Sequence, residues 1–435
     1  MAGSDGSFLF GASPPLRVVA TVISAATLAL SLTNCRSNEE ESNSCPLRVP
    51  GVTSTEIAIG AVLSDTGVVA GPTEGFRAGI DARLALQNKD EGGVYGRQIS
   101  YEWLDDGSKL NLNRVASEKF VNDGKVFGLI EPPITSSDSI PLLSQKGIPV
   151  TGLGGTPYWS DASNMFSWYY VGNGSSTTWG EYIRSMGGTR LALITSSLKT
   201  ALAGVNRQLL ASLKASGVEI VKIIDLDNSL HNYRALAEQI KAADVDAIAG
   251  VLLPEVATQL LPELRQIGIG LGGNLKVVLS AAGYDLDQLG SGAQALVGVS
   301  LATGFKPFEL NTPGQVRFSK AMVDYSPEVR STAEDSAIYG WLAADLFIRG
   351  LEVAGPCPTR QSFITNLRRV TDYDGAGLTP DDRINLSTNY RETSTCHQFV
   401  QISPDASRFA PMNEGRPYCG TAISPQQTDM LVGTS

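Results

Sequence analysis

Histidine is the scarcest reactive residue in this sequence. Only two occur, His231 and His397, and they lie far apart in the chain. No HExxH pattern and no cluster of cysteine with histidine is present, so a transition-metal site is not expected. The chain also lacks the GxSxG turn of serine hydrolases and the GxxxxGK(S/T) loop that cradles phosphates. These absences predict a protein that is not an enzyme and that carries no cofactor.

Concentrated positive charge is also missing. Lys and Arg number 34 against 44 Asp and Glu, which gives a net charge of −10. A protein that binds nucleic acid needs a concentrated basic surface to displace counterions from the phosphates. The composition therefore argues against a nucleic-acid partner, and it argues against adhesion to anionic lipid through charge alone.

The N-terminal apolar run is short for a membrane span. It extends from Val18 to Leu32, which is 15 residues, whereas a spanning helix needs about 20. Arg17 precedes the run and small residues follow it, as in a secretory signal peptide. The run leads into LTNC, which resembles a bacterial lipobox and implies acylation of Cys35. We predict a signal peptide over 1–34 and a lipid-anchored, extracytoplasmic protein, with ordinary cleavage or an uncleaved anchor as the alternatives.

The remaining cysteines fit an exported protein. Residues 36–43 read RSNEEESN, which is typical of a solvated tether, and we assign 35–52 to the lipidated N-terminus and tether. Apart from the anchor cysteine, four cysteines remain, and no CxxC motif joins any of them. An even number in an oxidising compartment predicts two disulfides, and the sequence leaves all three pairings open. The four are Cys45, Cys357, Cys396 and Cys419.

From about residue 55 onward, buried-strand patterns alternate with amphipathic helices in two successive units. This alternation predicts an α/β fold with parallel sheets covered by helices. The long helical patterns after Thr303 continue neither unit, so the chain is expected to cross between the units more than once. The predicted strands are 56–63, 98–104, 126–130, 148–153, 191–196, 219–226, 247–253, 276–281 and 397–402. The predicted helices include 112–121, 137–145, 205–215, 233–243, 256–267, 315–325, 333–353 and 359–370.

Small polar loops follow three strands of the first unit. They are Ser64–Gly67, Pro132–Asp138 and Gly152–Trp159. Ligands of open α/β sheets bind in the crevice at the carboxyl ends of the strands. Hydroxyls and free backbone N–H groups there suit a carboxylate or another polar acceptor, although the same residues are also ordinary turn formers. Asp105 and Asp106, which follow the second strand, are expected to be solvated turn carboxylates.

The segment from Ile57 to about Phe305 resembles the type I periplasmic binding proteins of ABC importers, in the leucine/isoleucine/valine-binding branch. The stretches that carry the resemblance include IGAVLSDTG, FRAGIDARLALQN, KGIPVTGLGGTP, LPEVATQLLPELRQIGI and GFKPFE. It implies two Rossmann-like lobes, joined by three hinge crossings, that close on a small-molecule ligand and deliver it to importer permease subunits. We place lobe 1 at 53–172 plus 303–393 and lobe 2 at 173–302 plus 394–435, in a monomer. A tethered sensor without transport is the alternative.

The resemblance also implies where the ligand is held. In the branched-chain binders, a Ser after the third strand and an Ala-x-Thr after the fourth hold the ligand, and tyrosines and a glutamate act from the second lobe. The corresponding positions here are 133–135, Gly154 and Thr156 in the first lobe, with Thr200, Leu252 and Ala282 in the second. The second-lobe carboxylate is therefore missing, unless Glu255 or Asp285 replaces it.

A buried ammonium without an acidic partner is costly, so the resemblance implies a ligand other than a zwitterionic amino acid. Apolar residues near the expected site favour an apolar carboxylate or amide, although each of them is also a candidate for ordinary core packing. The predicted ligand-binding residues are Thr66, Thr135, Ser136, Gly154, Gly155, Thr156, Trp159, Thr200, Leu252, Tyr284 and Phe305.

Overall fold

The first part of the chain forms a five-stranded parallel sheet in the order β2-β1-β3-β4-β5. The computed structural model describes residues 45–132, 134–195, 203–226, 232–252, 254–281, 283–284, 289–329 and 335–433. Strand β1, which lies between β2 and β3, is buried along nearly its whole length, because helices cover both faces of the sheet. The strands are β1 Glu56–Leu63, β2 Gln98–Asp105, β3 Leu129–Glu131, β4 Val150–Gly152 and β5 Met165–Phe166.

A second, larger sheet follows. It has the order β13-β12-β11-β10-β9-β7-β8, with β14 also paired to β12. Strands β7 to β11 are parallel, whereas β12 runs antiparallel to its neighbours. Its strands are β7 Arg190–Thr195, β8 Glu219–Asp225, β9 Ala247–Gly250, β10 Val277–Ser280, β11 Ser300–Thr303, β12 Cys396–Ile402, β13 Phe409–Pro411 and β14 Tyr418–Cys419. A separate two-stranded pair joins β6 Ser175–Ser176 to β15 Ala422–Ile423.

Helices alternate with the strands, as the sequence predicts. Those between strands of the first sheet are α1 Glu74–Lys89, α2 Leu110–Asp123 and α3 Ile140–Gln145. The second unit contributes α4 Thr178–Ser185, α5 Ala203–Ala215, α6 Tyr233–Ala242 and α7 Pro254–Gln266. The later helices are α8 Pro313–Tyr325, α9 Asp335–Ala354, α10 Arg360–Leu367 and α11 Pro425–Val432.

The chain passes between the two sheets three times. The first passage lies between β5 and β7, the second between β11 and α8, and the third between α10 and β12. Helices α8 and α9 follow a strand of the second sheet, but they pack against α1, and α9 also contacts β3 and β4. This return to the first sheet explains why the late helical patterns continue neither of the two units, and it confirms the prediction of two lobes with three crossings.

Helices α1 and α9 cross with almost no space between their backbones. A Cβ added at Gly79 would lie 1.9 Å from the Ala337 carbonyl oxygen, and one at Gly340 would lie 1.8 Å from that of Phe76. Glycine is therefore required at both positions of this contact. Helix α9 is apolar nearly all round because it is enclosed by α1, α10 and the first sheet.

Two disulfides are present, as the cysteine count predicts. Cys45 pairs with Cys357, in the connection between α9 and α10, and Cys396 pairs with Cys419 across β12 and β14. Among the helices of the described residues, none combines the length and the hydrophobicity that crossing a bilayer needs.

Candidate functional site

A cavity of about 650 Å³ opens at the carboxyl ends of the first sheet. Loops after β1, β2, β3 and β4 form most of its wall, and the first turns of α5 complete it. The volume is typical of a site for a small organic ligand. Its wall comprises Val68, Val69, Ser108, Leu110, Ile134, Thr135, Asp138, Gly155, Thr156, Pro157, Tyr158, Asp161, Asn173, Ala203, Gly204 and Arg207.

Much of this wall is apolar. The apolar side chains are those of Val68, Val69, Leu110, Ile134, Pro157, Tyr158 and Ala203. Six of them lie in segments that follow strands of the first sheet and Ala203 belongs to α5, so a bound ligand would lose water from apolar surface that contacts them. Burial of this kind stabilises an apolar ligand body by about 25 cal/mol per Å².

Thr135 is buried on the cavity floor, above a network of polar side chains. Its hydroxyl donates to Asp106, which also accepts from the Ser64 hydroxyl at 2.9 Å and from the Ser108 backbone N–H at 2.8 Å. Asp106 is fully buried, so the expectation of a solvated turn carboxylate is wrong for this residue. Because Thr135 gives its proton to Asp106, its oxygen faces a ligand as a hydrogen-bond acceptor.

A second buried carboxyl lies beneath this network. Glu131, at the end of β3, accepts hydrogen bonds from Asn113 Nδ2 at 2.8 Å and from Ser117 Oγ at 2.7 Å. Burial raises the pKa of Glu131 to about 8, although these hydrogen bonds oppose the increase. Asn113 also donates to Asp106 at 3.3 Å, so the two carboxyl groups are joined through one amide. The carboxyl of Glu131 is therefore mostly protonated at neutral pH.

Thr156 supplies a hydrogen-bonding group with no protein partner. Its side-chain oxygen is buried, and no residue in the described part of the chain bonds to it. The neighbouring Gly155 N–H is already directed to the Leu153 carbonyl at 2.7 Å. A buried polar atom without a partner is costly, so this hydroxyl is the group on the cavity wall best prepared to bond a ligand.

Three other predicted residues lie behind the cavity wall. Trp159 is fully buried, and its indole N–H donates to Ser136 Oγ at 2.8 Å. The Gly154 carbonyl accepts from the Val171 N–H at 2.8 Å, and its own N–H points at Ser167 Oγ, 3.0 Å away. These contacts hold the loops that carry Thr135 and Thr156 in place.

Thr66 is exposed at the turn after β1. Its hydroxyl donates to Asp105 Oδ2 at 2.5 Å, and Asp105 also accepts from the Gly107 N–H at 2.9 Å. Thr66 thus ties the turn after β1 to the turn after β2. Its neighbours Val68 and Val69 line the cavity.

Some of the residues predicted to bind the ligand from the second lobe are core residues, and the others lie outside the described residues. Leu252 is buried, with its backbone N–H and carbonyl both bonded to Ser280 Oγ. Tyr284 donates to Glu309 at 2.6 Å, and its ring packs against Phe305. Leu252, Tyr284 and Phe305 are buried in the core and are not part of the described cavity wall, so their role in ligand binding stays a prediction. Thr200, Ala282 and Asp285 lie outside the described residues, as does the side chain of Glu255.

The charged residues of the wall were not predicted. Asp138 and Asp161 are exposed at the rim, whereas the Arg207 side chain is only 26% exposed. Arg207 lies in the second turn of α5 and pairs with Asp429 of α11, 222 residues away. The local sequence gave little indication that Arg207 lines a cavity, because a basic residue on an amphipathic helix is normally expected to be solvated.

The sequence model of a periplasmic binding protein family matches residues 56–407. The chain belongs to this family. Its members are ligand carriers rather than enzymes, which confirms the prediction that this periplasmic binding protein is not an enzyme and places it outside the cytoplasm. No curated protein matches its sequence.

Solved structures share the fold of this periplasmic binding protein. A solute-binding protein from R. palustris, in complex with 4-hydroxybenzoate, has a TM-score of 0.66 and 13% identity, covering 84% of this chain and 97% of its own. LivJ from Streptococcus pneumoniae, in complex with isoleucine, has a TM-score of 0.64 and 15% identity, covering 82% and 99%. A fatty acid ABC transporter binding protein from Thermomonospora curvata has a TM-score of 0.64 and 16% identity, covering 88% and 96%.

Proposed function

We propose that this protein captures a small organic ligand between two lobes and delivers it to the permease subunits of an ABC importer. The position of the cavity carries the proposal, because loops of the first sheet and the start of α5, from the second unit, line it together. We assign lobe 1 to 53–172 plus 303–393 and lobe 2 to 173–302 plus 394–435. Contacts to both lobes stabilise a closed form over an open one.

The ligand has an apolar body and one carboxylate or amide group. The apolar wall suits the body, and the Thr156 hydroxyl suits a polar acceptor. The amide N–H₂ of such a ligand would also find an acceptor in the Thr135 oxygen, since that hydroxyl donates to Asp106. Relatives of the same fold bind 4-hydroxybenzoate and fatty acid, which agrees with this class.

An amino acid would be held poorly. Its ammonium needs a desolvated acidic partner, and the acids on the described wall, Asp138 and Asp161, are both exposed. Ion pairs between exposed groups contribute only about 0–1 kcal/mol, which is too little to offset the desolvation of the ammonium. We therefore expect leucine, isoleucine and valine to bind weakly or not at all.

Isothermal calorimetry on the ligand-stripped protein tests this proposal. The panel contains straight-chain carboxylates from C4 to C10, benzoate, 4-hydroxybenzoate, their amides, and the three branched-chain amino acids. We expect at least one apolar carboxylate or amide to bind in the micromolar range or better, and the amino acids to bind far more weakly. Micromolar binding of leucine would contradict the assignment of ligand class and would return attention to Glu255 and Asp285.

The protein is a monomer tethered to the outer face of a membrane through Cys35. The support is the apolar run Val18–Leu32, which leads into the LTNC stretch. Both lie outside the described residues. The Cys35→Ala variant should move from the membrane fraction to the soluble fraction on cell fractionation, whereas Cys45→Ala should not. A Cys35→Ala protein that remains with the membrane would rule out the lipid anchor.

A further inference from the structure

The cavity wall holds one cationic side chain among the residues that the structure describes. That side chain is Arg207, in the second turn of α5, which lines the cavity together with Thr156 and the other loops of the first sheet. Its side chain is about one quarter exposed, so an ion pair formed there is better shielded from water than one at Asp138 or Asp161.

Arg207 already has an anionic partner. One terminal nitrogen, Nη2, bonds to Asp429 Oδ1, and within the described part of the chain no other residue bonds to the guanidinium. A guanidinium has five N–H donors in a planar fork, so a second carboxylate can bond to its remaining edge. The Asp429 side chain is 51% exposed, so its pairing with Arg207 is screened and readily weakened.

Asp429 is brought to the cavity by the C-terminal segment of the chain. Helix α11 begins at the capping box formed by Ser424 and Gln427, and β15 just before it pairs with β6. Lys214, near the end of α5, donates to the Leu431 carbonyl at 2.8 Å. Among the described residues, hydrogen bonds at Asp429 and at the Leu431 carbonyl join α11 to α5, and the one at Asp429 places a negative charge beside Arg207.

We propose that Arg207 binds the carboxylate of the ligand, and that Asp429 is an internal competing anion that lowers the affinity for that carboxylate. The ligand carboxylate would approach the edge of the guanidinium that bonds no other described residue, while the Thr156 hydroxyl donates to it from the loop after β4. Asp429 then acts in two ways, because it occupies one donor of Arg207 and it repels a second negative charge nearby. This proposal rests on the proposed function and names a specificity-determining residue for it.

Matched probes of equal shape and different charge provide the test. Calorimetry compares benzoate with benzamide, and octanoate with octanamide, on the wild-type protein and on three variants. Arg207→Gln removes the cation, and Asp429→Asn removes the competing charge while it keeps a hydrogen-bond acceptor. Lys214→Gln is the control, because it removes the other α5–α11 contact without altering the charge beside Arg207. Thermal unfolding of each variant verifies that it is folded.

Arg207→Gln should weaken carboxylate binding by about tenfold or more and change amide binding by less than about threefold. Asp429→Asn should strengthen carboxylate binding by about twofold to fivefold, with the amide unaffected, and Lys214→Gln should change neither. The effect of Asp429→Asn should be smaller in the Arg207→Gln background, because only the repulsion of the ligand carboxylate by Asp429 remains there. Adding salt should weaken carboxylate binding to the wild type more than to Arg207→Gln.

Three results would overturn the proposal. The first is equal weakening of carboxylate and amide in Arg207→Gln, which would make Arg207 a packing residue. The second is weaker carboxylate binding in Asp429→Asn, and the third is wild-type protein that binds amides but no carboxylate. In this third case the proposed function stands and the role of Arg207 fails. If neither carboxylates nor amides bind, both the role of Arg207 and the ligand class of the proposed function fail.

Discussion

Removing the hydroxyl of Thr156 distinguishes a role of this residue in ligand binding from a role in stability. Because its oxygen is buried without a partner in the described part of the chain, Thr156→Val should leave the free energy of unfolding unchanged or slightly higher. The same change should weaken binding of an apolar carboxylate, since a hydrogen bond to a charged acceptor contributes about 1.5–3 kcal/mol, or about one to two decades of affinity. Calorimetry and thermal unfolding measure the two effects separately.

Thr151 provides the matched control. It is buried in β4 and donates to the Ala343 carbonyl at 2.8 Å. Thr151→Val should lower stability and leave ligand affinity unchanged, which is the reverse of the pattern expected for Thr156→Val. Equal affinity for the carboxylate in wild type and Thr156→Val would remove Thr156 from the site.

Glu131 makes stability depend on pH near neutrality. Its pKa is raised from 4.5 to about 8 in the folded protein, so the folded state favours the protonated carboxyl. The stability that this proton contributes is complete below about pH 4.5 and is lost as pH rises through about 8. Relative to Glu131→Gln, the wild type should therefore lose roughly 3–5 kcal/mol of unfolding free energy over that interval.

Denaturant unfolding between pH 4.5 and 9 measures this difference. The exposed Glu102 of β2 provides the control variant, Glu102→Gln, which should follow the wild type at every pH. A difference between wild type and Glu131→Gln that does not vary with pH would mean that the Glu131 carboxyl is already ionised across this range.

Part of the site could be predicted residue by residue. Thr135, Gly155 and Thr156 were predicted because they follow strands whose carboxyl ends meet at one edge of a parallel sheet. Arg207 was not predicted, because its importance depends on the packing of α5 against α11 from the far end of the chain. Asp106 was misjudged because an acidic residue in a turn is normally solvated, and only the folded loops show that Ser64 and Thr135 donate to its carboxylate.

At the scale of elements, long and strongly patterned segments were predicted best. Strand β1 has the predicted bounds, Glu56–Leu63, because its apolar residues are continuous and polar residues flank it. Strand β3 is shorter than predicted, with the bounds Leu129–Glu131, since Val126 and Phe127 are buried outside the strand. Helix α3 begins later than predicted because residues Ser136–Asp138 form a separate helical turn before Pro141.

The crossing of α1 and α9 makes a direct prediction for one glycine. In Gly340→Ala, the new Cβ would overlap the Phe76 carbonyl oxygen on the facing backbone, which a rotamer change does not relieve. The helices would have to move apart, so we expect a loss of about 3 kcal/mol or more in unfolding free energy. Chemical denaturation measures the loss.

Gly270→Ala is the control for this crossing. The nearest atom to a Cβ there is 3.9 Å away, and the backbone does not have a positive φ. Its stability should stay within about 0.5 kcal/mol of wild type. Wild-type stability in Gly340→Ala would show that α1 and α9 pack less closely than the structure has them.

At the scale of the whole molecule, the order of strands and helices along the chain implied more about the fold than the periodicity of each segment could. Strand and helix patterns indicated two α/β units, but the return of α8 and α9 to the first sheet depends on long-range packing that no local pattern encodes. Likewise, the cysteine count predicted two disulfides, and only the fold brings Cys45 to Cys357 and Cys396 to Cys419.

We expect ligand capture to change the shape of this two-lobed protein as well as to fill the cavity. The cavity wall combines loops of the first sheet with the start of α5, so a ligand that contacts both favours the closed arrangement by mass action. A compound that contacts only one lobe would release or absorb heat in calorimetry but would not favour the closed arrangement of the two lobes.

Small-angle X-ray scattering with and without ligand tests this central claim most directly. The protein is measured empty, with a saturating apolar carboxylate or amide from the calorimetric panel, and with leucine at the same concentration. We predict a smaller radius of gyration with the carboxylate or amide and an unchanged radius with leucine. An unchanged radius in the presence of the calorimetrically bound ligand, or a smaller radius with leucine, would contradict the account.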